Sequence, residues 1–482
     1  MSDNPKRPIL WLLTSHWISL LGTALVTTAG FSWLFALPMQ LRGHASNPYV
    51  GILVFLVIPG ILVFGLVLIA LGIYLSRRHI EQGLLQVPER QVYLRKLAIF
   101  FAVTTALNVI IGAQVTYRAV AHMETVQFCG QSCHLMQPEY ITHVNSPHAG
   151  VECVDCHVTP GAVGWAKSKM GGMKQGLDIA FNRVHNPIES AIASGRLVPA
   201  SDTCEQCHFK ETFEAVKLRV IFHFQDDQKN TQTQTALTML TGGGKFGGIH
   251  GKHFGPGIEI FYSATDPQRQ TIPLVEYRNR NTGEVQTYLA DGSTAQSVAN
   301  LQRHQMQCVD CHNNADHGFE LPERAVDRAL GLGQISPTLP FIKKKAMELL
   351  KAKYSGNEEA SRMIPAALAD FYLKSDPAVA AQRSQDISIA GVQIAAIYNR
   401  NVFPDLKVTW GTYPDNLGHT DFPGCFRCHD GSHNTADKKM TITQDCNTCH
   451  VPVAVDEAAP KILTTLGIED RINSLQKQGG GQ

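Results

Sequence analysis

The chain has no surplus of either charge. Its 42 Lys and Arg stand against 41 Asp and Glu, a net of +1, so it lacks the broad cationic field that would hold nucleic acid or another polyanion. It also has no cysteine to spare. All twelve cysteines fall into six close pairs: Cys129/Cys133, Cys153/Cys156, Cys204/Cys207, Cys308/Cys311, Cys425/Cys428 and Cys446/Cys449. A lone reactive thiol is therefore excluded. A disulfide framework is a poor reading too, because it would not require a histidine directly after the second cysteine of every pair.

That histidine is present each time, as His134, His157, His208, His312, His429 and His450. The five later pairs read CVDCH, CEQCH, CVDCH, CFRCH and CNTCH, the attachment signature of c-type haem. Two thiols must reach the two vinyl groups of one porphyrin while the adjacent imidazole reaches its iron. Cysteines three apart lie about 60° apart around a helix and cysteines four apart about 40°, so both spacings keep the thiols on one face. The first pair, in CGQSCHLM, has one extra residue and reads as a wider version of the same motif. Zinc half-sites and redox dithiols also use C-x-x-C, but neither demands six repeats with histidine following. The sequence predicts six covalent haems.

Haem is joined to cysteine outside the bacterial inner membrane, and the N-terminal quarter provides the route. Apolar stretches at about 9–37, 50–75 and 97–115 are each long enough to cross a bilayer. Lys6 and Arg7 precede the first, and Arg77, Arg78, Arg90, Arg95 and Lys96 lie between the second and third, whereas the loop near 38–49 holds only Arg42. The positive-inside rule then puts the N-terminus in the cytoplasm and everything after Arg118 in the periplasm. The first run is longer than a signal-peptide core, which argues for an anchor that is not cleaved. His16 is the ionisable residue within a span; with His44 and His79 read as loop residues, no facing histidine pair is expected for a membrane b-haem.

The expected fold is a membrane-anchored multihaem cytochrome. Residues 1–118 form a three-helix transmembrane anchor, 119–215 a membrane-proximal three-haem domain, 216–300 a small β-containing insertion, and 301–482 a second three-haem domain with a helical insert and a C-terminal tail. VIFHF, GIEIFYSA, TIPLVEYRN and EVQTYLA carry the β-branched and aromatic signal of strands, with Asn281 to Gly283 as a turn. From Pro322 the pattern turns helical in ERAVDRALGLG, FIKKKAMELLKAKY and AAQRSQDISIAGVQIAAIY. With so much porphyrin to enclose, no conventional aliphatic core is expected in the periplasmic part.

Of the 20 histidines, six follow cysteine pairs and three belong to the membrane part, so eleven are left as sixth ligands for six irons. His148, His304, His317, His419 and His433 stand within a few residues of a motif and are the first candidates. His250 and His253 in GIHGKHFGPG follow, then His223, with His122, His143 and His185 behind. Two imidazoles per iron favour electron transfer, because they leave no open position for substrate. No CxxCK, the mark of an open iron in nitrite reductases, occurs.

An anchor followed by FCGQSCHLM, SPHAGVECVDCH and DTCEQCH resembles the NapC/NirT family of membrane-bound multihaem quinol dehydrogenases. Beyond the third motif, CVDCHNNADHGFELPERAVDRAL and PGCFRCHDGSH resemble the longer inner-membrane cytochromes of metal-respiring bacteria. The resemblance implies quinol oxidation at the first haem, where a methionine two residues past the motif can serve as axial ligand. Met136 matches that position, and either His134 or Met136 could bind the first iron. It also implies a lysine and an acidic residue downstream of the second haem as part of the quinol site. Here Lys167, Lys169, Lys174 and Asp178 offer themselves, with Glu139 and His143 as further proton acceptors. The implied partners are menaquinol or another quinol in the bilayer, and periplasmic cytochromes or a reductase. The extra spans and haems depart from simple members with one helix and four haems. Competing readings are a terminal reductase of a small substrate such as nitrite or hydroxylamine, and a cytochrome subunit of a larger respiratory complex.

Overall fold

The computed structural model describes residues 15–40, 57–82, 90–181, 183–195, 197–209, 212–243, 247–470, 472 and 474. The chain divides into two compact units, residues 1–132 and 133–482.

The first unit is helical, with helices at Trp17–Gln40, Ile58–Glu81 and Arg90–Met123. Ile58–Glu81 and Leu94–Met123 are each long and apolar enough to cross a membrane, and the first helix is apolar through Trp17–Ser32. The apolar residues before 15 and at 50–56 lie outside the described residues. Glycine lets the first two helices touch: a Cβ on Gly22 would meet the Gly65 carbonyl at 2.6 Å, and one on Gly72 would meet the Ser19 nitrogen at 2.5 Å. Small residues at a helix crossing are how apolar helices gain close packing without a hydrophobic drive between them. Thr28 Oγ1 donates to Asn108 Oδ1 at 3.1 Å, joining the first helix to the third.

His79 lies inside the second helix, not in a loop, and its ring faces His16 with centroids 6.0 Å apart. This corrects the loop assignment. His16 Nδ1 accepts the Ile18 N–H at 3.2 Å.

In the second unit the β residues form two antiparallel sheets. One has the order β1-β2-β7, with β1 Lys217–Phe224, β2 Gln232–Met239 and β7 His450–Glu457; the other has the order β5-β4-β3-β6, with β3 Ile258–Ser263, β4 Leu274–Asn279, β5 Glu284–Leu289 and β6 Arg303–Gln305. Thus β7 starts on the last motif histidine and pairs with β2, His450 opposite Met239. The β region is closed by a strand from the C-terminal part, so residues 216–300 are not a self-contained insertion.

The helical insert also departs from expectation. Helices Pro322–Gly331, Ile342–Lys351, Asn357–Ser375, Pro377–Gln382 and Ser384–Asn401 enclose an aliphatic core. Leu330, Ile335, Leu339, Ile342, Leu350, Ile364, Leu368 and Ile394 are all fully buried. At about 1.5–3 kcal/mol for each buried aliphatic side chain, this segment stabilises itself without porphyrin. A buried ion pair sits beside it: Lys343 Nζ donates to Asp327 Oδ1 at 2.5 Å and to the Glu323 carbonyl at 3.2 Å.

Candidate haem-ligand sites

No two of the twelve cysteines are joined in a disulfide, and among the described residues no three His, Cys, Asp or Glu side chains converge as a protein-only metal site. Most of the motifs are single helical turns. Cys153–His157 and Cys308–Cys311 are α-helical; Cys204–Gln206, Gly424–Arg427 and Cys446–Thr448 are 3-10 turns. In these turns the histidine nitrogen folds back on the first cysteine, as in His208 N to Cys204 O at 2.8 Å and His429 N to Cys425 O at 3.0 Å. Gly424 is required before the fifth motif. Its φ is +49°, and a Cβ there would collide with the Gly418 carbonyl that Cys425 N–H binds at 2.8 Å.

The two cysteines of a motif are not equally sheltered. Cys207 is exposed while its partner Cys204 is half-buried. It stands just past the end of the third turn, its N–H donating to the Cys204 carbonyl at 3.2 Å. Cys156, Cys425 and Cys446 are exposed as well.

The first motif is built differently. Its helix, Val126–Gln131, carries Cys129 and ends before Cys133, which is extended; His134–Met136 then forms a 3-10 turn. The two thiols therefore do not share one turn, contrary to the simple widening expected. His134 is exposed and Met136 half-buried.

The other five motif histidines each face one histidine from elsewhere in the unit. Ring centroids are 6.2 Å apart for His157 and His317, 6.0 Å for His208 and His148, 6.2 Å for His312 and His250, 5.9 Å for His429 and His253, and 6.1 Å for His450 and His419. No histidine is used twice. Two metal–nitrogen bonds of about 2 Å, plus about 1 Å from each nitrogen to its ring centre, separate trans imidazoles by about 6 Å. Ordinary ring packing covers the same distance range, so the one-to-one matching carries more weight than any single spacing.

Tautomers agree with that geometry. Nδ1 meets a backbone carbonyl in His148 (Ala315, 3.3 Å), His250 (Gly242, 3.1 Å), His253 (Ile249, 2.7 Å), His317 (Glu139, 3.0 Å) and His429 (Thr443, 2.7 Å). A carbonyl only accepts, so Nδ1 bears the proton and Nε2 keeps its lone pair for a metal. Burial lowers the pKa of His157, His253, His312 and His317, favouring the neutral form that can ligate. These residues fit haem iron.

Three sequence candidates stand elsewhere. His433 is buried, with Nε2 donating to the Ile272 carbonyl at 2.7 Å and Nδ1 on Asp430 at 3.0 Å, so no lone pair is left. His304 lies on β6 against the Tyr262 ring, 5.6 Å away. His223 is half exposed on β1, with Nδ1 3.4 Å from Asp327. Proximity to a motif is thus a weak guide, whereas GIHGKHF supplies two facing residues from one helix, Gly248–Phe254. Of the remaining histidines, His185 is exposed and His122 packs edge-on to Phe128.

Successive motifs are also neighbours. Cys156 lies close enough to Cys204 to couple with it electrostatically. Cys204 is held down at about 5 by a hydrogen bond with Cys308. Burial and then Cys425 push Cys311 up to about 11, and burial and then Cys425 raise Cys449. The fourth and fifth motifs are tied directly: Arg427 donates to the Asp310 carbonyl and, at 2.9 Å, to that of Arg269, whose guanidinium pairs with buried Asp310 at 3.0 Å. Tyr262 donates to the same carboxylate.

Around the Gln137–Val144 helix, Asp316 binds His143 Nδ1 at 2.8 Å and Ser146 Oγ at 2.5 Å. His143 is 3% exposed and its Nε2 has no protein partner, as is also true of Glu139 Oε2. Burial lifts the Glu139 carboxyl to about 7. Lys167, Lys169, Lys174 and Asp178 all lie on another helix, Ala162–Ala180, with Lys169 5.6 Å from the Trp165 ring centre.

Residues 93–237 match the NapC/NirT cytochrome c family, N-terminal region. The chain is 37% identical over 447 residues to the cytochrome c-type protein ImcH of Geobacter sulfurreducens, across 90% of this chain and 87% of that one. It belongs to the NapC/NirT cytochrome c family. The cytochrome c nitrite reductase subunit NrfH of Nitratidesulfovibrio vulgaris is 29% identical over 108 residues, 22% of this chain and 65% of NrfH. No solved structure matches. As a NapC/NirT cytochrome the chain is membrane-associated, binds haem c covalently and serves respiratory electron transfer. The family match begins inside the third helix and runs through the first three motifs into β2.

Proposed function

We propose that this cytochrome is an inner-membrane quinol dehydrogenase with three spans, taking electrons from menaquinol or another quinol near Cys129 and Cys133 and delivering them to a periplasmic cytochrome or reductase. Six covalently bound haems would supply the one-electron redox chemistry. The observation that carries this reading is the matching of five motif histidines with five others, which would supply two imidazoles to each of five irons and leave no position for a substrate. A terminal reductase of a small molecule is disfavoured on that ground.

The chain's own residues have definable tasks. His317, His148, His250, His253 and His419 would hold the second through sixth irons, with Nε2 left free to ligate by the Nδ1 contacts to backbone carbonyls where these exist. Cys204 and Cys207 would hold the third haem. Neighbouring thiols follow motif order, supporting a route from the second site to the sixth and delivery near Cys425/Cys428 or Cys446/Cys449. The first iron is left to His134 or Met136. Quinol oxidation releases two protons. Glu139, whose carboxyl is lifted by burial to about 7, is suited to accept one at neutral pH, with Lys167, Lys169 and Asp178 as the other quinol-site candidates.

Purified protein in lipid nanodiscs tests the proposal. Pyridine haemochrome assay should return six haems per chain, all c-type, and a reduced menaquinone analogue should reduce them. Five or fewer haems in fully matured protein would remove CGQSCH as an attachment site, and no reduction by any quinol would reject the dehydrogenase reading.

A further inference from the structure

The Ala162–Ala180 helix has no buried residue. Apolar side chains are nonetheless common on it, and several are large and mostly exposed: Val163 at 70%, Met170 at 64% and Met173 at 67%. A surface helix whose apolar side faces neither core nor sheet requires a different cover.

The arrangement says which. At 100° per residue, Val163, Ala166, Met170, Met173 and Leu177 fall in one stripe about 80–100° wide. Lys167 and Lys174 project just beyond one edge of the stripe and Lys169 beyond the other. Ser168, Gly172 and Gln175 lie opposite, together with the smaller apolar exposure of Trp165 and Ile179, 41% and 43% exposed. A Cβ added at Gly171, Gly172 or Gly176 would meet nothing within 4 Å, so no other backbone packs close on that side. Asp178 is the one acidic residue of the helix. A narrow apolar stripe bracketed by lysines on both flanks suits the boundary between acyl chains and anionic headgroups, where lysine stems follow the apolar surface and the ammonium groups reach phosphate. A protein groove would not by itself call for cations on both edges.

We propose that the Ala162–Ala180 helix lies in the membrane interface, its Val163–Leu177 stripe in the acyl boundary and its lysines on anionic lipid headgroups. This goes beyond quinol oxidation and does not depend on it. It makes the helix a second membrane contact, separate in sequence from the N-terminal spans.

Met170 and Met173 are built-in probes. Full-length haem-loaded protein is reconstituted in nanodiscs of anionic phospholipid, and separately in lipid-free amphipol, then footprinted with photochemically generated hydroxyl radicals and read by mass spectrometry. Met363 and Met440, 44% and 42% exposed, are internal controls. Oxidation of Met170 and Met173 should fall about tenfold in nanodiscs relative to amphipol, with the controls unchanged. Met173→Glu should restore oxidation of Met170 in nanodiscs. Equal oxidation in both preparations would overturn the proposal by leaving the stripe in water. Low oxidation in both would also overturn it, because protein or porphyrin would then be the cover.

Discussion

His157 and His317 face each other with ring centroids 6.2 Å apart, yet His157 closes the second attachment motif and His317 follows the fourth. The imidazole of His317 is held from behind by the segment after the first motif, Nδ1 meeting the Glu139 carbonyl at 3.0 Å. Asp316 grips the same segment through His143 and Ser146. A histidine that follows one motif and faces another therefore locks three stretches of chain into one arrangement.

Replacing that ligand should be visible at one iron. His317→Ala is expected to convert one low-spin haem to high spin in optical and EPR spectra, leaving the other irons unaltered. Unchanged spectra would detach His317 from the second haem.

His433 should behave in the opposite way. With both ring nitrogens engaged in the interior, His433→Ala leaves the Ile272 carbonyl buried and unpaired, at a cost of about 1–3 kcal/mol. Thermal unfolding should shift downward while the spin-state spectrum is preserved. A new high-spin signal in this variant would restore His433 to the list of ligands.

His250 and His253 share one seven-residue helix but face different motif histidines, His312 and His429. Either single alanine variant should therefore raise one high-spin iron, and the double variant two. If each single change perturbed both irons equally, the helix would be a structural support instead of a pair of ligands.

The contrast between His433 and His250 shows what was legible. Cysteine spacing is a local covalent requirement, so the candidate attachment motifs stand out in the chain itself, as do the strand segments VIFHF and GIEIFYSA with their β-branched pattern. Distal ligation is a tertiary property. Residues four or five from a motif on the sequence, such as His304 and His433, turn into β6 or a buried hydrogen-bond network, while His250 arrives from the Gly248–Phe254 helix, far upstream of His312. The strand VPVAVDE was missed because its partner, β2, lies more than two hundred residues earlier. The aliphatic core of the helical insert was underestimated for a different reason: its amphipathic helices bury Leu330 and Ile394 against one another, independently of any porphyrin.

That insert offers a stability test separate from haem. Lys343 and Asp327 are both nearly buried and paired, so Lys343→Met strands a carboxylate in the interior and should cost about 3–5 kcal/mol. Asp327→Leu added to it should recover most of the loss. Equal instability of single and double variants in chemical denaturation would show that the pair is not coupled.

The last prediction concerns the proton side of quinol oxidation. Glu139 Oε2 is buried without a partner and its carboxyl is lifted by burial to about 7, so near neutrality it can exchange a proton, whereas a surface carboxylate would already be fully ionised. Lys167, Lys169 and Asp178 sit on an outlying helix with no buried residue. Glu139→Gln keeps the shape and removes the proton acceptor; if Glu139 takes a proton in the slow step, quinol-driven reduction should fall by about 10²-fold. Lys169→Met and Asp178→Asn should have smaller effects, expressed in the quinol concentration needed for half-maximal rate. Reoxidation of dithionite-reduced protein by a periplasmic cytochrome should be unaffected in all three, since the proposed exit lies at the Cys425/Cys428 or Cys446/Cys449 site. A normal quinol rate in Glu139→Gln, with a strong loss in Asp178→Asn, would move the proton acceptor from the Gln137–Val144 helix to the Ala162–Ala180 helix.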